Sequence, residues 1–236
     1  MDVETGATKD VAWLHLDLTR LPQKETLEYS IKKSLLAASA VFEFRQTDGT
    51  FAFNARAEGK IPFKGNFVFT SEVRGPSVSQ ACSFSQYSEI QQGKAARHYV
   101  VESDALQFKK EGEATSRKSI DLTGLDSNAL MASIMLPHLL SSWIPNDRSL
   151  LASQFVVAGR ILAVKVQLFD MGRDFRVYTK EVDAPINLQK WLQIEWPTTQ
   201  VFEGSWSDPQ KAVSSLRFKV PVLGTLELPL VHCDRG

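Results

Sequence analysis

His138 and two nearby serines are the first residues in this chain that could do chemistry together. His138 directly follows Pro137, and Ser141 and Ser142 come shortly after it. An imidazole beside a hydroxyl suggests a base and a nucleophile, but a catalytic serine normally stands on a constrained turn such as Gly-x-Ser-x-Gly, which this sequence lacks. We therefore interpret His138 as structural, a cation near the C-terminus of a predicted helix, where it would interact favourably with the helix dipole.

Acidic residues along a predicted hairpin form the second group: Asp170, Asp174, Glu181 and Asp183. Glycoside hydrolases use two carboxylates separated by roughly 5–9.5 Å. Asp170 and Asp174, however, flank a glycine turn, where aspartate is favoured for backbone reasons alone. We assign no catalytic residue and favour a protein that is not an enzyme.

Four of the five tryptophans lie in the C-terminal half of the chain: Trp143, Trp191, Trp196 and Trp206. Exposed indoles can form a platform that stacks on a sugar ring, whereas indoles between sheets fill a core. Both interpretations stay open. The alternative function that follows is a carbohydrate-binding or carbohydrate-active domain.

The two cysteines, Cys82 and Cys233, are far apart in sequence and belong to no Cys-x-x-Cys pair. With no cluster of metal-ligand spacing, we predict neither a metal nor a cofactor. We interpret the two thiols as unpaired, and a single long-range disulfide is the alternative in an oxidising compartment.

The charge balance excludes one large class of partner. Twenty-seven Lys and Arg residues are matched by 27 Asp and Glu residues, so the basic surface of a nucleic-acid-binding protein is missing. No stretch approaches the roughly 20 apolar residues of a transmembrane helix. The residues at the start do not resemble a signal peptide, but a mature exported protein that began with an added Met1 would look the same.

Alternation of apolar and polar residues runs through most of the chain and predicts β-strands. Phe42 and Phe44 share one face, Asp48-Gly49 supplies a hairpin turn, and the strand beginning at Phe51 continues with the same parity. Residues 162–168 and 175–179 predict a second hairpin. Apolar residues make up 43% of the chain and include 14 Phe. The predicted fold is mainly β, an antiparallel meander forming a curved sheet, an open barrel or a sandwich.

One segment, residues 127–142, departs from the alternating pattern. Its apolar residues recur at i and i+4, which predicts an amphipathic helix packed on the sheet. Asp126 or Ser127 would cap the start of this helix, and Pro137 would kink or end it.

This predicted helix carries the candidate binding site. Flexible Met side chains can adapt to different ligands, so the helix could cover a concave apolar face and leave a pocket for a lipid-like molecule. Simple capping of the core is the other interpretation. The candidate ligand-binding residues are Leu130, Met131, Ile134, Met135 and Leu139.

The length of 236 residues is compatible with one large β-domain. We predict a flexible N-terminus over residues 1–10 and a single domain over residues 11–236. The turn-rich stretch at 143–149 is the candidate boundary between two halves.

Three motifs over residues 25–230 resemble a bacterial exported family known as domain of unknown function 3108. They are Leu27-Glu28-Tyr29-Ser30, Leu125-Asp126-Ser127-Asn128-Ala129-Leu130, and Trp206-Ser207-Asp208-Pro209 with Val220-Pro221-Val222-Leu223-Gly224-Thr225-Leu226-Glu227-Leu228. The resemblance implies a curved antiparallel sheet or open barrel in the periplasm or cell envelope, without a known activity. Similar envelope folds that carry lipids or lipoproteins suggest, by analogy, an apolar ligand.

The leading hypothesis is therefore a non-enzymatic exported or cell-envelope β-domain. It would bind a lipid-like molecule or another apolar ligand, or a protein partner, in the concavity beneath the predicted helix. A structural or assembly module that uses exposed sheet edges is a further alternative.

Overall fold

The computed structural model describes the greater part of the chain. The described residues are 11–14, 16–33, 36–61, 65–76, 86–91, 97–102, 105–110, 118–123, 130–142, 150–157, 160–169, 173–196, 202–206, 212–220 and 224–236. The predicted flexible N-terminus and the candidate boundary at 143–149 lie outside them. The single-domain assignment therefore stays a prediction.

Sixteen strands form one sheet in the described part of the chain. The first nine are β1 (Val11–Trp13), β2 (Lys24–Lys33), β3 (Leu36–Thr47), β4 (Thr50–Ile61), β5 (Gly65–Pro76), β6 (Gln86–Gln91), β7 (Arg97–Glu102), β8 (Ala105–Lys110) and β9 (Lys118–Asp121). The other seven are β10 (Leu130–Ala132), β11 (Leu150–Val157), β12 (Arg160–Phe169), β13 (Asp174–Val182), β14 (Phe202–Trp206), β15 (Val213–Val220) and β16 (Gly224–Arg235). Two short helices are α1 (Leu136–Ser142) and α2 (Leu188–Leu192).

The strand order confirms the predicted fold class. It runs β1-β11-β12-β13-β14-β15-β16-β2-β3-β4-β5-β6-β7-β8-β9, so in the described residues the sheet has two ends and does not close into a barrel. Nearly all neighbouring strands are antiparallel. The exceptions are β1 and β10, which pair in parallel with successive parts of β11.

Contacts with the chain segment that follows β9 show how strongly the sheet curves. We call residues 130–142, which comprise β10, a 3-10 turn at Ser133–Met135 and α1, the inner segment. Its 3-10 turn contacts both β4 and β11, and α1 contacts β3 and β15. Because β4 and β11 are eight steps apart in the strand order, a flat sheet would separate them by about 38 Å. The sheet therefore curls around the inner segment.

Both predicted hairpins are confirmed. Thr47 pairs with Thr50 across the Asp48-Gly49 turn, and Gly49 has a φ of 94°, which glycine adopts without a steric penalty. In the second hairpin β12 pairs with β13, and Val166 lies opposite Val177.

The predicted helix over 127–142 is wrong in its extent. Leu130–Ala132 form strand β10 instead, because the edge of β11 over Gln154–Val156 accepts them as a parallel neighbour. Helix α1 begins only at Leu136. Asp126 and Ser127, the predicted caps, lie outside the described residues.

Pro137 lies near the start of the helix and does not end it. It lies in the first turn of α1, where a residue without an N–H group leaves no helical hydrogen bond unmade. His138 is consequently also in the first turn, so its interpretation as a cation near the helix C-terminus is wrong. Residues 136–141 are all buried, so α1 is enclosed on every side and is not an amphipathic surface helix.

Helix α2 was not predicted, and it covers part of the opposite, outer face of the sheet. The Asn187 side chain caps it by accepting a hydrogen bond from the Lys190 N–H group at 2.9 Å. Trp191 of α2 packs on Ala152 and Ala163. The Gln154 amide donates to the Ile186 carbonyl at 2.6 Å and accepts from the Ile186 N–H group at 2.9 Å, which ties this covering segment to β11.

Candidate functional site

Three ionisable side chains, two of them buried, meet where the inner segment contacts the sheet. Glu25 of β2 is 1% exposed and His138 of α1 is 0% exposed. The Nδ1 atom of His138 is 2.6 Å from Oε2 of Glu25, and Nε of Arg235 in β16 donates to Oε1 of Glu25 at 2.6 Å. One carboxylate therefore joins three segments that are far apart in sequence.

Strand geometry explains how an acidic residue reaches the interior. Glu25, Leu27 and Tyr29 alternate along β2 and point to the same face, and all three are buried. Arg235 lies directly opposite Glu25 in the pairing of β16 with β2. The Arg235 side chain is 32% exposed, so its guanidinium lies between the buried carboxylate and solvent. Buried acids are normally paired in this way.

The surroundings of His138 are aromatic. Its ring centroid is 6.1 Å from that of Phe44 and 5.5 Å from that of Phe53. Because a carboxylate only accepts hydrogen bonds, Nδ1 carries a hydrogen and donates it to Glu25. The second ring nitrogen, Nε2, is buried and has no hydrogen-bond partner among the described residues. An unsatisfied buried polar atom destabilises a protein by about 1–3 kcal/mol.

The pair formed by Glu25 and His138 resembles two of the three members of a catalytic triad. A carboxylate on Nδ1 fixes the imidazole, and Nε2 faces away from it, ready to accept or donate a proton. The neighbouring serines, however, have other partners. Ser141 donates to the Pro137 carbonyl at 2.7 Å, and Ser142 donates to the Leu139 carbonyl at 2.9 Å. Glu25 therefore orients the imidazole, but both serines of α1 are bonded to backbone carbonyls and neither acts as a nucleophile beside it.

All five candidate ligand-binding residues belong to the inner segment and lie in the core with His138. Each is at most 3% exposed: Leu130, Met131, Ile134, Met135 and Leu139. The sulfur of Met135 accepts a hydrogen bond from the Ala132 N–H group at 3.4 Å. The structure thus places all five predicted residues on the one segment that the sheet encloses. Glu25 and Arg235 were not predicted; the parity of Glu25 with Leu27 was the signal available for the acid.

Two of the tryptophans, Trp191 and Trp196, pack together with their ring centroids 5.0 Å apart. Trp191 is 1% exposed and donates from Nε1 to the Val164 carbonyl at 3.0 Å. Trp196 is half-buried, and the ammonium group of Lys165 lies 5.1 Å from its ring centroid and 5.0 Å from that of Tyr178. The side chains of Trp143 and Trp206 are outside the described part of the structure.

The acidic candidates are dispersed. Glu181 pairs with Arg160 at 2.9 Å, Asp174 is half-buried and Asp183 is exposed. Asp170 lies outside the described residues. No group of three or more His, Cys, Asp or Glu side chains that could hold a metal is present in the described ranges.

Cys233 is an unpaired, half-buried thiol whose burial raises its pKa. Cys82 lies outside the described residues. Among the residues that the structure does describe, no helix is long and apolar enough to cross a membrane.

Two hollows of about 530 Å³ each lie on the outer face of β2–β5. Their walls carry polar and charged side chains, and the Arg56 guanidinium there is already paired with Glu58 at 2.8 Å. Both hollows are open, and Ile31 and Ala38 give one of them a partly apolar wall.

Comparisons with known proteins identify a shared fold. No family model matches the chain, and no curated protein matches it. A crystal structure of a beta-barrel-like protein of domain of unknown function DUF1849 from Brucella abortus superposes with a TM-score of 0.53 at 10% identity, covering 92% of this chain and 98% of the other. A porin-like protein from Bacteroides uniformis covers 91% of this chain and 96% of its own, with 6% identity and a TM-score of 0.32. The first similarity shows the fold alone.

Proposed function

We propose that this protein is a non-enzymatic exported or cell-envelope domain that binds an apolar ligand inside its curved sheet, against the inner segment. One observation carries the proposal. The sheet wraps around a short stretch of its own chain, and the buried surface of that stretch includes two adaptable Met side chains. Both side chains are completely buried in the core, so binding would require Met131 and Met135 to change rotamer and make room for the ligand.

The envelope location is supported by the motifs at 27–30, 125–130 and 206–228, which resemble the family known as domain of unknown function 3108. Carbohydrate binding is less well supported, because Trp191 is buried and Lys165 already lies over the Trp196 ring.

Native mass spectrometry of gently purified protein tests the proposal without any variant. The expected result is a bound molecule of low mass that organic extraction removes. The extracted protein should then bind one equivalent of the uncharged dye N-phenylnaphthylamine, detected by its fluorescence. A protein that carries no such molecule and does not bind the dye would overturn the proposal.

Two matched variants locate the site. Met135→Phe adds bulk inside the sheet, whereas Val68→Phe adds an aromatic ring at an exposed position on the outer face. We expect Met135→Phe to weaken dye binding at least about tenfold and Val68→Phe to leave it unchanged, with circular dichroism confirming that both remain folded. Equal dye affinity in the two variants would place the dye elsewhere.

A further inference from the structure

The Nε2 atom of His138 indicates which chemical group an interior ligand would carry. This nitrogen is fully buried and has no hydrogen-bond partner among the described residues. Glu25 fixes the opposite ring nitrogen, so Nε2 points away from the carboxylate, in a neighbourhood that includes the rings of Phe44 and Phe53. Buried polar atoms in native proteins nearly always have a partner, which can be a ligand or ordered water.

We infer that the ligand is an amphiphile with a carboxyl head group, and that this group binds Nε2 of His138 while its apolar tail lies against the inner segment. This inference rests on the proposed function and names the class of molecule that the site would hold.

A carboxyl group fits both protonation states of the imidazole. A neutral His138 with its hydrogen on Nδ1 presents a lone pair at Nε2, which accepts a hydrogen bond from a carboxylic acid. A protonated His138 presents an N–H group at Nε2, which donates to a carboxylate. The same two heavy atoms are joined in each case, and only the position of the proton differs.

The charges of the cluster favour the same group. Arg235 and Glu25 already form an ion pair at 2.6 Å, so a protonated His138 adds a further positive charge beside the same buried carboxylate. A carboxylate head group neutralises that charge. A cationic head group would add a second positive charge, and a hydrocarbon would leave Nε2 without a partner.

The apolar part of the ligand follows from the neighbouring side chains. Leu139, Met135 and Ile134 lie on the same buried segment as His138, and these side chains offer dispersion contacts and no further polar partner. An aliphatic chain with one terminal carboxyl group matches an inner segment whose one unpartnered buried side-chain polar atom is Nε2 of His138.

Competition with the dye N-phenylnaphthylamine tests the inference with two ligands that differ only in the head group. We expect hexadecanoic acid to displace the dye from the extracted protein at least about tenfold more effectively than methyl hexadecanoate. That ratio corresponds to the loss of a charge-assisted hydrogen bond, or of one donated by the acid, because the ester is uncharged and has no O–H group. In His138→Gln, which can still bond Glu25 but has no distal ring nitrogen, the preference for the acid should disappear.

Nitrogen NMR of the unaltered protein provides a readout that does not depend on the variant folding. The Nε2 resonance of His138 is assigned through nuclear Overhauser contacts between the carbon-bound ring protons of His138 and the Phe53 ring protons. It should shift on addition of the acid and not of the ester. Dye binding with equal displacement by acid and ester, or an Nε2 resonance that neither ligand moves, would overturn the inference and leave the proposed function standing. Absence of dye binding would overturn both.

Discussion

At Glu25, two hydrogen bonds from different segments converge on one buried carboxylate. Glu25→Ala removes the carboxylate that contacts both the His138 ring and the Arg235 guanidinium. We expect the free energy of unfolding to fall by about 3–5 kcal/mol, the usual effect of breaking a buried ion pair by deleting one member. Urea denaturation followed by circular dichroism measures this change.

Glu58 provides the matched control, because it also pairs with an arginine but does so at the surface. The Arg56–Glu58 pair is at 2.8 Å and both side chains are well exposed. Exposed pairs contribute about 0–1 kcal/mol, so Glu58→Ala should change stability far less than Glu25→Ala. Similar losses in the two variants would show that burial of Glu25 has no special energetic role.

Tyr29 gives the protein a dependence on alkaline pH. Its hydroxyl donates to the Val213 carbonyl at 2.9 Å, and burial, followed by the nearby charge of Glu25, raises the pKa of this phenol well above its usual range. Below the ordinary tyrosine pKa of about 10, the phenol is neutral in both folded and unfolded chains. Above it, only the unfolded chain releases the proton, so stability falls as the pH rises.

The variant Tyr29→Phe isolates this effect. At neutral pH it should be less stable by about 1 kcal/mol, because the Val213 carbonyl loses its hydrogen bond. Above pH 10 the stability of the unaltered protein should decline more steeply than that of the variant, by about 1.4 kcal/mol per pH unit for one proton. Urea unfolding at several alkaline pH values measures both slopes, and parallel slopes would contradict the assignment.

Among the elements, β14 depends on the absence of a side chain at one position. Gly204 lies between Phe175 of β13 and Leu216 of β15 in the sheet. A Cβ atom there would be 2.5 Å from the Phe175 ring and 2.5 Å from the Ser215 carbonyl oxygen. Because the second neighbour is backbone, it cannot turn away as a side chain can.

We therefore expect Gly204→Ala to destabilise the protein by about 1–3 kcal/mol or more, as overpacking does in other cores. Gly236→Ala is the matched control, since a Cβ atom at position 236 would be 3.9 Å from its nearest neighbour, the Lys24 Cβ atom. Thermal unfolding should separate the two variants clearly. A Gly204→Ala protein as stable as Gly236→Ala would mean that β13 and β15 move apart without loss.

The elements that the sequence predicts well are those whose partners are close along the chain. The β3–β4 hairpin needs only the alternation of Phe42 and Phe44 and the Asp48-Gly49 turn. Leu130–Ala132 have the spacing of a helix and still form a strand, because the edge of β11, twenty-four positions further along, offers backbone hydrogen bonds. The buried pairing of Glu25 was not predicted for the same reason, because its partners His138 and Arg235 are 113 and 210 positions away.

At the scale of the whole molecule, β16 joins the two halves of the sheet. The first half comprises β2–β9, and the second comprises β11–β15. Its first part pairs with β15 and its last part with β2. At the junction with β2, Lys24 and Gly236 exchange two backbone hydrogen bonds at 3.1 and 3.0 Å. Pairing residues that are far apart in the sequence requires the closure of long loops, which costs entropy. We therefore expect the protein to fold slowly compared with helical proteins.

This arrangement predicts that the described halves unfold together. One core contains Phe44 and Phe53 from the first half, Val164 and Phe175 from the second, and the inner segment that contacts both. Opening either half would expose this shared core and break the Tyr29 bond to Val213, so a half-folded state has little left to stabilise it.

A chain of 236 residues is longer than most proteins that unfold in two states, so a single unfolding transition would show that the halves depend on each other. In urea, tryptophan fluorescence reports mainly on the second half, where Trp191 packs on β11 and β12, whereas far-ultraviolet circular dichroism reports on every strand. We expect the same midpoint from both signals, and a fluorescence transition that precedes or follows the loss of β-structure would show two separate folding units.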